Sequence, residues 1–187
     1  MKIILASQSP RRQELLKRLY NDFEIIPSDI EETLPEDIGP EFAPIFLAAE
    51  KARHISETHP NDLVIAADTI VIFNGEILGK PKDDTDAKRM LTSLSGNTHK
   101  VITGCCVQLG EDICSFAEES LVTFFPLTDE EINSYVASGL SKGKAGAYGI
   151  QDQAALFVEK IDGDFYNIVG LPIARLSREI KYMLGEK

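Results

Sequence analysis

The chain has 187 residues, 43% of them apolar and 26% charged, with 9 prolines, which supports one compact domain, whole or pinched into two lobes, and excludes a disordered or fibrous protein. A formal net charge of −11 argues against a groove that tracks a nucleic acid, since such grooves need many Lys and Arg contacts to phosphates, but leaves room for a small anion held by a few cations and a metal. The three cysteines (Cys105, Cys106 and Cys114) form no CxxC pair and read as reduced thiols of a cytoplasmic protein. No apolar run approaches the roughly 20 residues of a membrane span, and Ile3 to Ala6 is too short for a signal peptide.

Lys2 to Ala6 reads as a buried strand that stops at Ser7-Gln8-Ser9-Pro10. Ser9 suits an N-cap and Pro10 the first helical position, so a helix should begin there and turn Leu15, Leu16 and Leu19 to the core. Phe23 to Pro27 looks like a second strand, followed by the acidic stretch Asp29-Ile30-Glu31-Glu32. From Glu41 to Ser56, Ile45, Ala48, Ala49, Ala52 and Ile55 fall at helical spacing, with Pro44 in the first turn. Leu63 to Phe73 is the strongest strand, and Asn74-Gly75 is the pair a type I′ hairpin demands, so Glu76 to Leu78 should return antiparallel.

A helix is expected over Asp84 to Leu94, with Gly96 as its stop. Lys100 to Leu109 and Ile113 to Phe125 read as strands joined by a turn, and Thr128 with Glu131 forms a capping box for a short helix. After the glycine-rich stretch from Gly139 to Gly149, a strand is expected at Ala155 to Ile161. Asp162-Gly163 signals a hairpin whose returning strand is Phe165 to Val169. Pro172 should open a terminal helix with Ile173, Leu176, Ile180 and Met183 on one face. The sum is a mixed α/β architecture with several antiparallel hairpins.

Asp68 is the most informative residue. Strand alternation places it on one face with Val64, Ala66, Ile70 and Ile72. An unpaired carboxylate there costs on the order of several kcal/mol, so it needs a metal, a cation, dense hydrogen bonding or a raised pKa, each common at a functional site; the plainer alternative is that the strand bends at Asp68 and the side chain caps a turn or pairs with a nearby lysine. Ser7 to Arg12, SQSPRR, enters a helix where free N–H groups and the donors of Ser7, Ser9, Arg11 and Arg12 attract phosphate; an ordinary capped helix with solvated arginines has the same pattern.

Lys51 borders the apolar face of its helix, where a lysine often lays its stem on the core edge. Lys80, between Gly79 and Pro81, sits on constrained backbone from which its ammonium can reach a ligand. Glu31 and Glu32 offer oxygen ligands for a hard cation, although acidic loops are usually only solvated. In Lys144-Ala145-Gly146-Ala147-Tyr148-Gly149-Ile150-Gln151 the glycines let backbone approach a flat ligand, and the Gln151 amide can pair with a base edge; a flexible connection is the plainer reading. His54, His59 and His99 have no spacing that suggests a metal site or triad.

Taken together and in order, SQSPRR, Ala67-Asp68-Thr69, Gly79-Lys80-Pro81 and KAGAYGIQ resemble the Maf family of nucleoside triphosphate pyrophosphatases across essentially the whole of residues 1–187. The resemblance implies a single domain of two lobes around a central nucleotide-binding cleft, similar to the inosine triphosphatases, often a homodimer. It also implies removal of noncanonical nucleotides and a link to septum formation and cell-division arrest. Within it, Asp68 matches the proton acceptor, Glu31, Lys51 and Lys80 match residues around the metal and phosphates, and Arg11, Thr69 and Gln151 match positions tied to substrate choice. Thr69 and the Ile150-Gln151 ending look like the branch acting on dTTP and UTP rather than on 7-methyl-GTP, while Asp152-Gln153 replaces a glycine-rich continuation.

The expected chemistry is therefore α,β cleavage to a monophosphate and pyrophosphate. Mg²⁺, with Mn²⁺ as the alternative, would be held by carboxylates such as Glu31 and Asp68, and Ser7, Arg12, Lys51 and Lys80 would bind phosphate. A nucleotide-sensing regulator of cell division that turns over nothing is the alternative from another class, and the same phosphate site would serve it.

Overall fold

The computed structural model describes residues 1–185. Ile3–Leu5 forms β1, Pro10–Leu16 α1, Glu24–Ile25 β2 and Ala43–Ser56 α2. β3 is Leu63–Phe73, β4 Glu76–Leu78, α3 Asp84–Leu94, β5 Thr98–Leu109 and β6 Asp112–Phe124. α4 (Asp129–Ala137), β7 (Val158–Asp162), α5 (Phe165–Val169) and α6 (Ile173–Met183) complete the chain. Among the described residues the strands make one mixed sheet in the order β2-β1-β3-β5-β6-β7, with β4 paired to β3. β1 runs parallel to β2 and β3, whereas β3 and β4, and β6 and β7, are antiparallel.

Two compact units divide these residues. The first holds Met1–Asp68, Thr103–Glu118 and the segment from Gly170; the second holds Thr69–Ile102 and Glu119–Val169. In the first unit the apolar face of α2 (Ala48, Ala52, Ile55) packs with Ile4 and Ala6, with Val64 and Ala66 of β3, and with Cys106. Gly104 is obligatory here, because a Cβ on it would land on the backbone of Pro44 and Ile45 at the start of α2. In the second unit α3 packs against α4, burying Met90, Leu91 and Leu94 of the one and Ile132, Tyr135 and Val136 of the other.

Most local signals act as their chemistry requires. Ser9 caps α1 by accepting from Arg12 N, and Pro10 stands at its start. Asn74 (φ 52°) and Gly75 (φ 81°) both take the left-handed backbone of a type I′ turn, which pairs Phe73 with Glu76. The Thr128–Glu131 capping box forms in both directions. Leu15 and Leu16 are fully buried, while Leu19 lies past the end of α1 and is half-buried, as is Met183 on α6.

Three expectations are corrected. The strand expected over Phe23 to Pro27 shortens to Glu24–Ile25. Gln153–Phe157 is a 3₁₀ helix, so the strand expected from Ala155 begins only at Val158; Asp152 caps that turn by accepting from Ala154 N at 3.0 Å. Phe165 to Val169 is helix α5, not a returning strand. Asp164 Oδ1 accepts from Tyr166 N at 2.8 Å, and the buried Asn167 amide donates to Val101 O and Ser120 Oγ. A local cap and one buried amide outweigh the β preference of Phe, Tyr, Ile and Val.

Candidate functional site

In the first unit, β1 delivers the chain into Ser7. The Ser7 hydroxyl is buried and accepts from Ser9 N at 3.2 Å and Arg12 Nη1 at 3.3 Å. Arg12 Nε donates to Gly170 O at 2.8 Å, so this guanidinium ties the start of α1 to the segment leading into α6. Burial pulls the Arg12 guanidinium below the usual arginine range, and the nearby Asp68 and Glu32 carboxylates work the other way. α1 spans only seven residues, so its dipole is small and the positive potential here comes from Arg11 and Arg12.

Lys51 is buried on α2 at the border of the apolar stripe, and its ammonium has two anionic partners. Asp68 Oδ1 and Glu32 Oε1 each lie 2.7 Å from Nζ. Asp68 is on the β3 face that carries Val64 and Ala66, as alternation requires, with its side chain only 13% exposed. Of the remedies open to a carboxylate on such a face, the structure supplies a cation. A phosphate that competes for Lys51 would release Asp68 to act on water or on a metal.

Glu32, rather than Glu31, reaches this ion pair. Both glutamates are exposed residues, the Glu32 side chain at 50%, but only Glu32 has a carboxylate on the ammonium; the Glu31 carbonyl accepts from Thr33 N at 2.8 Å in a tight turn. No group of three or more His, Cys, Asp or Glu able to hold a metal occurs among the described residues. Two carboxylates do converge on one ammonium, and that donor set fits a magnesium ion, which commonly takes one or two carboxylates and completes its octahedron with water and substrate phosphate.

The second unit carries Thr69, Lys80 and Gln151. Thr69 is half-buried on β3, and Lys80 is exposed between Gly79 and Pro81. Gly79 O accepts from Gly146 N at 3.1 Å, so the Lys80 turn and the KAGAYGIQ loop, far apart in sequence, are joined by backbone. Gln151 is exposed at the end of that loop.

Side chains around the loop hold it, and among them Tyr135 was not singled out from sequence. Tyr135 Oη donates to Asp152 Oδ1 at 3.0 Å and accepts from Gly149 N at 3.2 Å. Lys144 Nζ lies 3.0 Å from Asp152 Oδ2. His99 is a core residue: it is buried, its Nε2 meets Tyr148 Oη at 2.8 Å, and its ring packs edge-on against Phe124 and Tyr148. Burial lowers its pKa to about 4, so the ring is neutral near pH 7. The sequence signal available for Tyr135 was its place on the apolar face of α4; nothing in the local pattern marked its hydroxyl.

The family model described as "Maf-like protein" matches residues 2–183, which include both units. The chain belongs to the Maf family. A Bacillus cytotoxicus protein named dTTP/UTP pyrophosphatase is 49% identical to this Maf chain over 180 residues, covering 96% of it and 94% of its relative. A Bacillus mycoides protein of the same name is 50% identical over the same shares. A solved HAM1 protein from Coxiella burnetii shares the fold, with a TM-score of 0.54 at 17% identity over 97% of the Maf chain and 99% of its own. That likeness establishes the mixed α/β fold alone.

Proposed function

We propose that this Maf protein hydrolyses dTTP and UTP, together with modified pyrimidine triphosphates, to the monophosphate and pyrophosphate. The observation that carries the chemistry is the Lys51 ammonium held between Asp68 and Glu32 on an otherwise apolar helix–strand face. The near-full-length relatives named dTTP/UTP pyrophosphatase support the choice of substrate.

Lys51, with Arg11 and Arg12, neutralises triphosphate oxygens and is drawn toward them. Asp68, relieved of part of its ion pair, holds the attacking water and takes its proton as the new bond to the α phosphorus forms. The α,β bridging oxygen leaves with the pyrophosphate. A bound Mg²⁺ or Mn²⁺ would supply Lewis acidity, and Asp68 and Glu32 would hold it in place of Asp68 and Glu31. The roles of Lys80 in phosphate binding, and of Arg11, Thr69 and Gln151 in substrate choice, rest on the resemblance, and that of Ser7 on its place at the entry to α1.

The protein is placed in the cytoplasm, acting on a small molecule and on neither nucleic acid nor membrane. A net charge of −11 and three unpaired cysteines support this, and no helix among the described residues is long and apolar enough to cross a membrane. A homodimer and a part in septum formation are carried from the resemblance. Incubation with dTTP and Mg²⁺ followed by product analysis tests the reaction: dTMP and pyrophosphate are expected. Orthophosphate would point to a phosphatase, and binding without turnover to the nucleotide-sensing regulator.

A further inference from the structure

We propose that Asp152, Tyr135 and Lys144 are positioning residues that fix the Gln151 loop and thereby set base selectivity. The inference rests on the pyrimidine triphosphate reading and extends it to residues that need not touch the nucleotide. Every group involved belongs to the second unit.

Asp152 satisfies three donors at once. Its Oδ1 accepts from Tyr135 Oη and from Ala154 N, both at 3.0 Å, and its Oδ2 pairs with Lys144 Nζ at 3.0 Å. Tyr135 is rooted in the buried face of α4, so the hydroxyl that receives Gly149 N comes from a rigid element. Lys144 also donates to Leu140 O, which ties the beginning of the loop to the turn that follows α4. Gly149 gives the clamp room to close: a Cβ there would lie 2.6 Å from Asp152 Oδ2 and 2.8 Å from Lys144 Cε.

The backbone carries independent evidence of constraint. Gly146 (φ 66°) and Ala147 (φ 62°) are both left-handed. A buried alanine holds that conformation only where its surroundings over-determine it. Ala147 N donates to Lys144 O at 3.0 Å and Gly146 N to Gly79 O at 3.1 Å. The loop is thus pinned at residues 144, 146, 149 and 152, on either side of the exposed Gln151 amide. An amide that discriminates bases by hydrogen bonding must be held in one orientation, since orientational freedom admits the wrong partner and weakens the right one.

The test uses the full chain. In Asp152→Ala and Tyr135→Phe, KM for dTTP and UTP is expected to rise about tenfold, the worth of one well-placed hydrogen bond, with kcat changed less than about threefold. The preference in kcat/KM for dTTP over dATP should fall by a similar factor. Because both variants loosen one network, the double variant should lose less than the product of the single losses. A merely structural role would lower the melting temperature without moving the dTTP:dATP ratio, and an unchanged ratio in both variants overturns the proposal.

Tyr135→Phe, which removes a single oxygen, keeps the test open if Asp152→Ala fails to fold. Wild-type protein that hydrolyses no triphosphate would overturn the functional reading instead. In that event amide hydrogen exchange over residues 144–152 still decides: faster exchange in the variants supports the clamp, and unchanged exchange overturns it.

Discussion

Lys51 carries two carboxylates at 2.7 Å, and the consequences of that arrangement are testable one side chain at a time. Asp68→Asn keeps an oxygen for the ammonium and leaves Glu32 paired, so the fold and the phosphate-binding cations should survive. The proposed mechanism then lacks its base, and a positioned proton acceptor is worth about 10²–10⁴ in rate. Turnover should fall by that factor while dTTP still binds by calorimetry; near-normal pyrophosphate release would remove Asp68 from its role. The two neighbouring glutamates should separate just as clearly. Glu32→Gln takes a carboxylate from the Asp68–Lys51 group and should raise the Mg²⁺ concentration for half-maximal activity about tenfold or more, the usual loss when one anionic partner of a metal goes. Glu31→Gln alters an exposed side chain and should leave that concentration unchanged. The reverse pattern would restore Glu31 as the ligand. Which of two adjacent acids faces a helix depends on the turn at Thr33, and that turn has no sequence signature strong enough to choose between them.

At the scale of elements, the structure follows short-range rules wherever one residue decides the backbone. Asn74-Gly75 sets a hairpin, Ser9-Pro10 opens a helix, and Thr128 with Glu131 caps another. Thr128→Ala should cost about 1 kcal/mol, the usual worth of an N-cap, and lower the melting temperature by roughly 2–4 °C in a chain of this size. Gly104→Ala should cost more. It drives a methyl into the backbone of α2, which cannot rotate aside as a side chain can, so a loss at or above the upper end of about 1–3 kcal/mol for overpacking is expected in denaturant titration. Little or no destabilisation would mean that α2 can move away from β5. The elements that sequence did not foretell are those decided over distance. Phe165 to Val169 has a strand-forming composition, yet Asn167 reaches Val101 and Ser120, 66 and 47 positions away, and that buried amide is compatible with the helix. The 3₁₀ turn after Asp152 has a local cause, an Asp cap, that hydrophobic patterning over Ala155 to Ile161 conceals.

The whole molecule carries a charge of −11 and one deeply buried histidine, and the two make opposite demands on stability as the pH falls. Protonating surface carboxylates relieves self-repulsion and favours the compact state. His99 works the other way. Its ring sits among Phe124 and Tyr148 with a pKa depressed to about 4, against an ordinary value near 6.5 when unfolded. Between these values the unfolded chain binds a proton that the folded chain refuses. The unfolded state therefore binds more protons, and stability falls as pH is lowered through this window. Over about 2.5 units the loss is roughly 3 kcal/mol at 1.36 kcal/mol per unit. Surface charge changes the same curve, so the comparison must be with His99→Gln, whose amide can still meet the Tyr148 hydroxyl but does not titrate. Chemical denaturation at pH 7, 6, 5 and 4 should show wild type losing about 3 kcal/mol more than the variant, nearly all of it below pH 6.5. Parallel curves would mean that the ring is hydrated or finds an acceptor as it is protonated, and the aromatic cluster would then be far less dry than its packing implies.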